Sequence, residues 1–188
     1  MNIKKMIKEE ITNKSIEEDI KSKIRDVSVK YVDFNGVEQT GVIQVNKRIV
    51  TKIKNVFNEL YNEGFQINKI EPANGRSDKE LINNNITTAF NYRRAITPNG
   101  LGKLPKHAWG LSWDINPRVN PAEPNCGMEF EYGCENGVLN DEDIQMIKSN
   151  GFEWGGEIFE GFYDSHHFEV PFTDEEEEIQ SNFIINNF

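Results

Sequence analysis

The sequence predicts an α+β fold in which a small antiparallel sheet is flanked by helices. Three observations predict it. Strand-like and helix-like segments are mixed along the chain instead of alternating strictly, which disfavours a repeated parallel βαβ unit. Two alternating runs meet at Asn35-Gly36, a dipeptide suited to a hairpin turn. A long amphipathic stretch follows directly, from Asn46 to Gly64.

Residues 1–25 place Ile3, Ile7, Ile11, Ile16, Ile20 and Ile24 about one helical turn apart. They predict a helical extension packed on the domain, with a restart at the capping box Ser15–Glu18. "VSVKYVDFNGVEQTGVIQV" predicts the two hairpin strands. In the helix that follows, Ile49, Ile53, Val56, Phe57 and Leu60 form one stripe, and Gly64 sits where a C-terminal cap belongs. "FQINKIEP" predicts a strand, "RSDKELINNN" a short capped helix or loop, and "ITTAFNYRR" another strand. After the Trp-rich run "KHAWGLSWDINP" comes a loop rich in Pro, Asn, Gly and Cys. "NDEDIQMIKSNG" has an acidic first turn and a glycine stop, the marks of a short helix. "FEWGGEIFEGFYDSHHFEVP" returns to strand composition, broken at Gly155-Gly156. "TDEEEEIQSNFIINNF" starts as a helix with carboxylates at its positive end and finishes in loose apolar residues. The division expected is an extension at 1–25, one domain at 26–172, and an acidic tail at 173–188 packed on that domain.

The 188 residues suffice for one domain with a core. A net charge of −10 without a basic stripe argues against a nucleic-acid partner. No apolar run is long enough to span a membrane. The basic start lacks the apolar segment of a cleaved signal. Cys126 and Cys134 read as two loop thiols, with a short disulfide-closed loop as the alternative. A monomer is expected.

Chemistry concentrates in two segments. His107 and Asp114 lie in the Trp-rich run, and Asp164-Ser165-His166-His167 lies about fifty residues on. Two imidazoles and one carboxylate, His107, Asp114 and His167, make the donor set of a catalytic zinc site with one position left to water. His166 is the alternative to His167. Donors on one zinc must approach within about 3.5 Å of each other. A helix would set residues seven apart about 10 Å apart along its axis. A regular strand would point them to opposite faces, because seven is odd. Either Gly110 forms a bulge or His107 sits in the loop before the strand. Leu111, Trp113 and Ile115 then face the core, while Ser112 and Asp114 face the site. Asp164, three residues before His167, is placed to act as general base on the attacking water. Arg93 is the candidate for the developing oxyanion, with Arg94 its rival.

"NNNITTAFNYR", "KHAWGLSWDINPRVNP", "GFEWGG" and "DSHHFE" resemble, in order, the motifs of the D-alanyl-D-alanine carboxypeptidase and L-alanyl-D-glutamate endopeptidase family of zinc peptidases. Lysostaphin-type peptidases and the hedgehog domain belong to the same wider group. The resemblance runs from about Val27 to Pro171. The family pattern is Ser-x-His-x6-Asp, then Glu or Asp three residues before a His. It implies His107, Asp114 and His167 as ligands to one Zn²⁺, Asp164 as base, Arg93 as a contact to substrate or oxyanion, and Trp154 with Gly155-Gly156 as a wall of the site. Pro105 stands where the family has serine, which bears on the support of the ligand loop. The implied activity is hydrolysis of peptidoglycan stem peptides, with an L-Ala–D-Glu endopeptidase favoured over a D,D-carboxypeptidase. A zinc-containing but catalytically silent binding module, as in hedgehog proteins, is the reading from another class. The setting implied is the bacterial cell wall, reached by a phage lysin at lysis or by an exported enzyme.

Overall fold

A computed structural model describes residues 14–94, 96–97, 100–101, 103–123 and 136–185. Ile3, Ile7, Ile11, Cys126 and Cys134 lie outside the described residues. The α+β expectation holds: helices accompany strand pairs that, among the described strands, are antiparallel in every case but one.

Helix α1 covers 14–22 and buries Ile20 in the core. Residue 14 is already helical, so Ser15 lies inside the helix instead of capping it. Ile24 leaves the helical period and opens strand β1 (Ile24–Val32), because its backbone pairs with Asn46 across the hairpin. β1 and β2 (Glu38–Asn46) are antiparallel, with Val27 opposite Ile43. Gly36 takes a φ of +76° in the turn, and the Asp33 carboxylate accepts from the N–H groups of Asn35 and Val37. Asn46 then caps a 3-10 turn, Lys47–Ile49, that leads into helix α2 (Val50–Asn62). Ile53, Val56, Phe57 and Leu60 bury the predicted stripe in the same core as Val27, Val29, Ile43 and Val45.

Strand β3 (Lys69–Ile70), helix α3 (Asp78–Asn83) and strand β4 (Ile86–Thr87) form a small crossover, which makes β3 and β4 the parallel pair. Ser77 and Glu80 supply a complete capping box. The two strands expected here shrink to two residues each. Pro72 has no N–H to give a ladder, and Asn85 turns the chain with a φ of +48° just before β4. Strands β5 (Ile96–Thr97) and β6 (Gly100–Leu101) pair antiparallel.

The remaining elements build the site. They are strands β7 (Ser112–Asp114) and β8 (Ala122–Glu123), helix α4 (Asp141–Ser149), strand β9 (Glu153–Trp154) and helix α5 (Gly155–Ile158). Strands β10 (Tyr163–Asp164) and β11 (His167–Glu169) and helix α6 (Asp174–Ile185) complete them. β11 lies between β7 and β9 in one antiparallel sheet, and β10 pairs with β8. Trp113 anchors this sheet to the core: its ring lies 5.3 Å from Phe57, 5.2 Å from Phe168 and 5.8 Å from Phe152. Helix α6 runs further than the loose end expected of it, because Phe183 is buried and the Gln180 amide donates to the Leu104 carbonyl at 2.9 Å.

Two asparagines tie the loops under the sheet. Asn116 is fully buried, donates to the carbonyls of Gln66 and Gly137, and accepts from the Asn68 N–H. Asn120 donates to the Ile115 and Gly137 carbonyls and accepts from the Leu139 N–H. Buried amides so completely paired set one loop arrangement and not several.

Gly110 links the turn that bears His107 to β7. Its φ is +64°, and a Cβ there would meet the Asn46 nitrogen at 2.8 Å and the Ile24 Cδ1 at 2.7 Å. Gly110→Ala is therefore expected to cost about 1–3 kcal/mol from backbone strain alone. A thermal melt checks it, and an unchanged midpoint would show that the turn can open elsewhere.

Candidate metal centre

The centre is built from one cross-strand pair and one turn. In the β7–β11 register His167 stands directly opposite Asp114, and Phe168 opposite Trp113. Alternation along a strand sends neighbours to opposite faces. Trp113 and Phe168 thus enter the core while Asp114 and His167 share the other face. His167 Nδ1 lies 3.0 Å from Asp114 Oδ1. His107 sits in the 3-10 turn Lys106–Trp109 that precedes β7, with Gly110 closing the turn. This settles the parity problem by the loop placement and not by a bulge. His107 Nε2 comes within 3.3 Å of the same Asp114 oxygen.

The segment around β4 holds the donors in place. Thr88 exchanges both backbone hydrogen bonds with Asp114, at 3.1 and 2.8 Å. The Ala89 carbonyl lies 2.7 Å from His107 Nδ1, and the Asn91 N–H donates to the His107 carbonyl at 3.0 Å. With Nδ1–H given to Ala89, His107 presents Nε2 to the centre. Pro105, which stands where the resembling family has serine, supports the turn only through its carbonyl, an acceptor for the Ala108 N–H at 2.8 Å. The ligand turn is steadied by Ala89 and Asn91 instead.

His107, Asp114 and His167 can hold one metal ion: each offers a ligand atom, and all three atoms lie within 4.8 Å of one another. The two separations to Asp114 Oδ1 approach the edge of a tetrahedron around a cation with ligands about 2 Å away. His166 points elsewhere. Its Nδ1 lies 2.7 Å from the Asn120 carbonyl and its Nε2 faces Asp164. This selects His167 over His166.

Asp164 ends β10, and Ser165-His166 turn the chain into β11. Asp164 and His167 both pack on Gly155, where an added Cβ would come within 3.1 Å of one and 3.0 Å of the other. Asp164 Oδ1 is buried and 3.1 Å from His166 Nε2, yet has no aligned hydrogen-bond partner among the described residues. Burial pushes this carboxyl above the ordinary aspartate value of 3.8, and the Asp114 charge adds to the effect against the neighbouring histidines. Trp154 donates its indole N–H to the Ser165 carbonyl at 3.0 Å and so braces the same turn. The Arg93 guanidinium pairs with both oxygens of Asp78, at 2.9 and 2.5 Å. The rival Arg94 lies over the Phe183 ring.

Sequence reasoning missed Glu169. It lies two residues beyond His167 on the same face of β11, and its Oε2 is 3.0 Å from His167 Nε2. The strand period alone points to it. Reasoning from sequence also missed the Ala89 carbonyl and the two buried asparagines, because backbone acceptors and loop packing leave no motif.

The centre binds protons when it holds no metal. Burial lowers the pKa of His167, but hydrogen bonds to Asp114 and Glu169 and the charges of Asp114 and Asp164 outweigh it and raise it to about 10. Asp114 is held well below 3.8, because the charge and hydrogen bond of His107 overcome burial. The raised His167 stabilises the fold fully below its ordinary value of 6.5 and loses that contribution as pH climbs through about 10. Metal-stripped protein is thus expected to melt lower at pH 9 than at pH 6. Saturating metal replaces the proton on His167 and flattens or reverses that slope. Equal melting of stripped protein at the two pH values would contradict the charged His167.

No curated protein and no solved structure matches the chain. Residues 99–170, a span that contains His107, Asp114, Asp164 and His167, match the family model described as D-alanyl-D-alanine carboxypeptidase, which supports peptidase-type hydrolysis.

Proposed function

We propose that the protein is a zinc-dependent peptidase that cuts peptidoglycan stem peptides at the bacterial cell wall. The observation that carries this reading is the convergence of two imidazoles on one oxygen of Asp114, at 3.3 and 3.0 Å, beside Asp164, whose buried Oδ1 has no aligned hydrogen-bond partner among the described residues. The donor set suits zinc, with each imidazole oriented through its remote nitrogen. Zinc, when bound there, polarises the scissile carbonyl and lowers the pKa of water to about 7. His107, Asp114 and His167 hold the ion. Asp164 accepts a proton from the attacking water at its carboxylate and returns it to the leaving nitrogen. Arg93, fixed by Asp78, is assigned the developing oxyanion, and Trp154 steadies the Ser165 turn as a wall of the site.

A cavity of about 460 Å³ opens beside the centre between the His107 turn, Phe159 and α6. It is several times larger than one alanine residue, which supports the endopeptidase choice, a cut between L-Ala and D-Glu with the chain continuing beyond. The description of the matching family model favours a second choice, release of a terminal D-Ala. That choice needs a cation for a free carboxylate. Of the two lysines lining the cavity, Lys106 is committed to the Val170 carbonyl, and Lys103 is exposed at the rim.

Digesting purified peptidoglycan with zinc-loaded protein and identifying the new termini tests the reading. New amino termini on D-Glu are expected. Released D-Ala instead would favour the carboxypeptidase. Zinc-dependent stabilisation with no new termini would replace both with a silent binding module.

A further inference from the structure

Glu169 has no part in the ligand set, yet it is one of the least solvated carboxylates beside the centre. Its side chain is 14% exposed, and a charge so enclosed persists only with partners. It has two. Oε2 lies 3.0 Å from His167 Nε2, and Oε1 lies 3.5 Å from Lys106 Nζ. Lys106 is itself enclosed, donating to the Val170 carbonyl and lying 4.1 Å over the Phe172 ring. The chain of contacts closes on itself, because Lys106 adjoins His107 in the ligand turn. Lys106, Glu169, His167, Asp114 and His107 form one chain of alternating donors and acceptors, with its two ends adjacent in the sequence.

An imidazole can present either nitrogen to a metal, and the partner of the other nitrogen decides which. For His107 the partner is the Ala89 carbonyl. We propose that Glu169, clamped by Lys106, is the positioning residue for His167, taking its Nε2–H so that Nδ1 alone faces the cation. This rests on the zinc reading of the centre. It assigns the two histidines opposite ligating nitrogens, Nε2 from the turn and Nδ1 from the strand. The difference follows from backbone placement: a turn residue reaches the ion with the far end of its ring, a residue directly across from Asp114 with the near one.

Zinc titration of the full chain and ¹⁵N spectra of the histidine rings test the proposal. In zinc-loaded wild type, His167 is expected to carry its proton on Nε2 and its metal-shifted signal on Nδ1. Glu169→Ala is expected to weaken zinc about 10- to 100-fold. Glu169→Gln, which keeps an acceptor oxygen, is expected to recover part of that loss. Zinc on Nε2 of His167 in the wild type would overturn the proposal without any variant, even if Glu169→Ala fails to fold. Unaltered affinity in a folded Glu169→Ala would overturn it too, and in both cases the zinc site itself would stand. A wild type that binds no zinc would instead remove the reading on which the proposal rests.

Discussion

Asp114→Ala is expected to abolish both zinc binding and peptide cleavage, with a larger loss of affinity than the roughly 10- to 100-fold typical of an outer partner. Asp114 is the one donor that touches both imidazoles, through the same oxygen. Its strand does not depend on its side chain. The Asp114 backbone pairs with Thr88, and β7 pairs with β11 through Trp113 and Phe168. The variant therefore keeps its sheet and loses the centre. The difference is read as a melting shift. Zinc at a thousandfold excess over Kd stabilises a folded protein by about 4 kcal/mol. For a chain of this length that raises the wild-type midpoint by roughly 8–16 °C, whereas Asp114→Ala should not respond. A variant that still gains stability from zinc would mean that the ion binds elsewhere.

Local structure was legible in the sequence wherever one segment carried its own signal. The α2 stripe, the Asn35-Gly36 turn and the acidic start of α4 each sit within a dozen or so residues, and all are present. Pairing between distant segments was not legible. Asp114 and His167 are fifty-three residues apart, and no periodicity sets which residue faces which across β7 and β11. The chemical pattern supplied what periodicity lacked. Two imidazoles and an acid have reason to converge, and convergence required a break in the strand before Asp114. Gly110 supplies that break, as the end of a turn. Asn116 shows the opposite case. A turn former by composition, it is fully buried and joins three loops, a role that only the assembled fold defines. Ile24 kept helical spacing and still entered β1, because pairing with Asn46 satisfies its backbone better than another helical turn.

Asp164→Asn is expected to lower kcat by about 10²–10⁴ while zinc affinity stays within a few-fold of wild type. The two readouts separate because Asp164 lies outside the three convergent donors yet packs against His167 through Gly155. Asparagine matches the shape of aspartate and retains the packing on Gly155, so the turn into β11 should persist. It cannot take a proton from water. The pH profile adds a second discriminator. Burial pushes the Asp164 carboxyl above the ordinary aspartate range, which brings it nearer to the pH at which a base can both accept a proton and give it back. Wild-type kcat/KM should fall on the acid side as this carboxylate is protonated, and the residual activity of Asp164→Asn should lack that limb. A variant with full turnover would move the base to another group. A variant that loses zinc as well as turnover would make Asp164 part of the metal site.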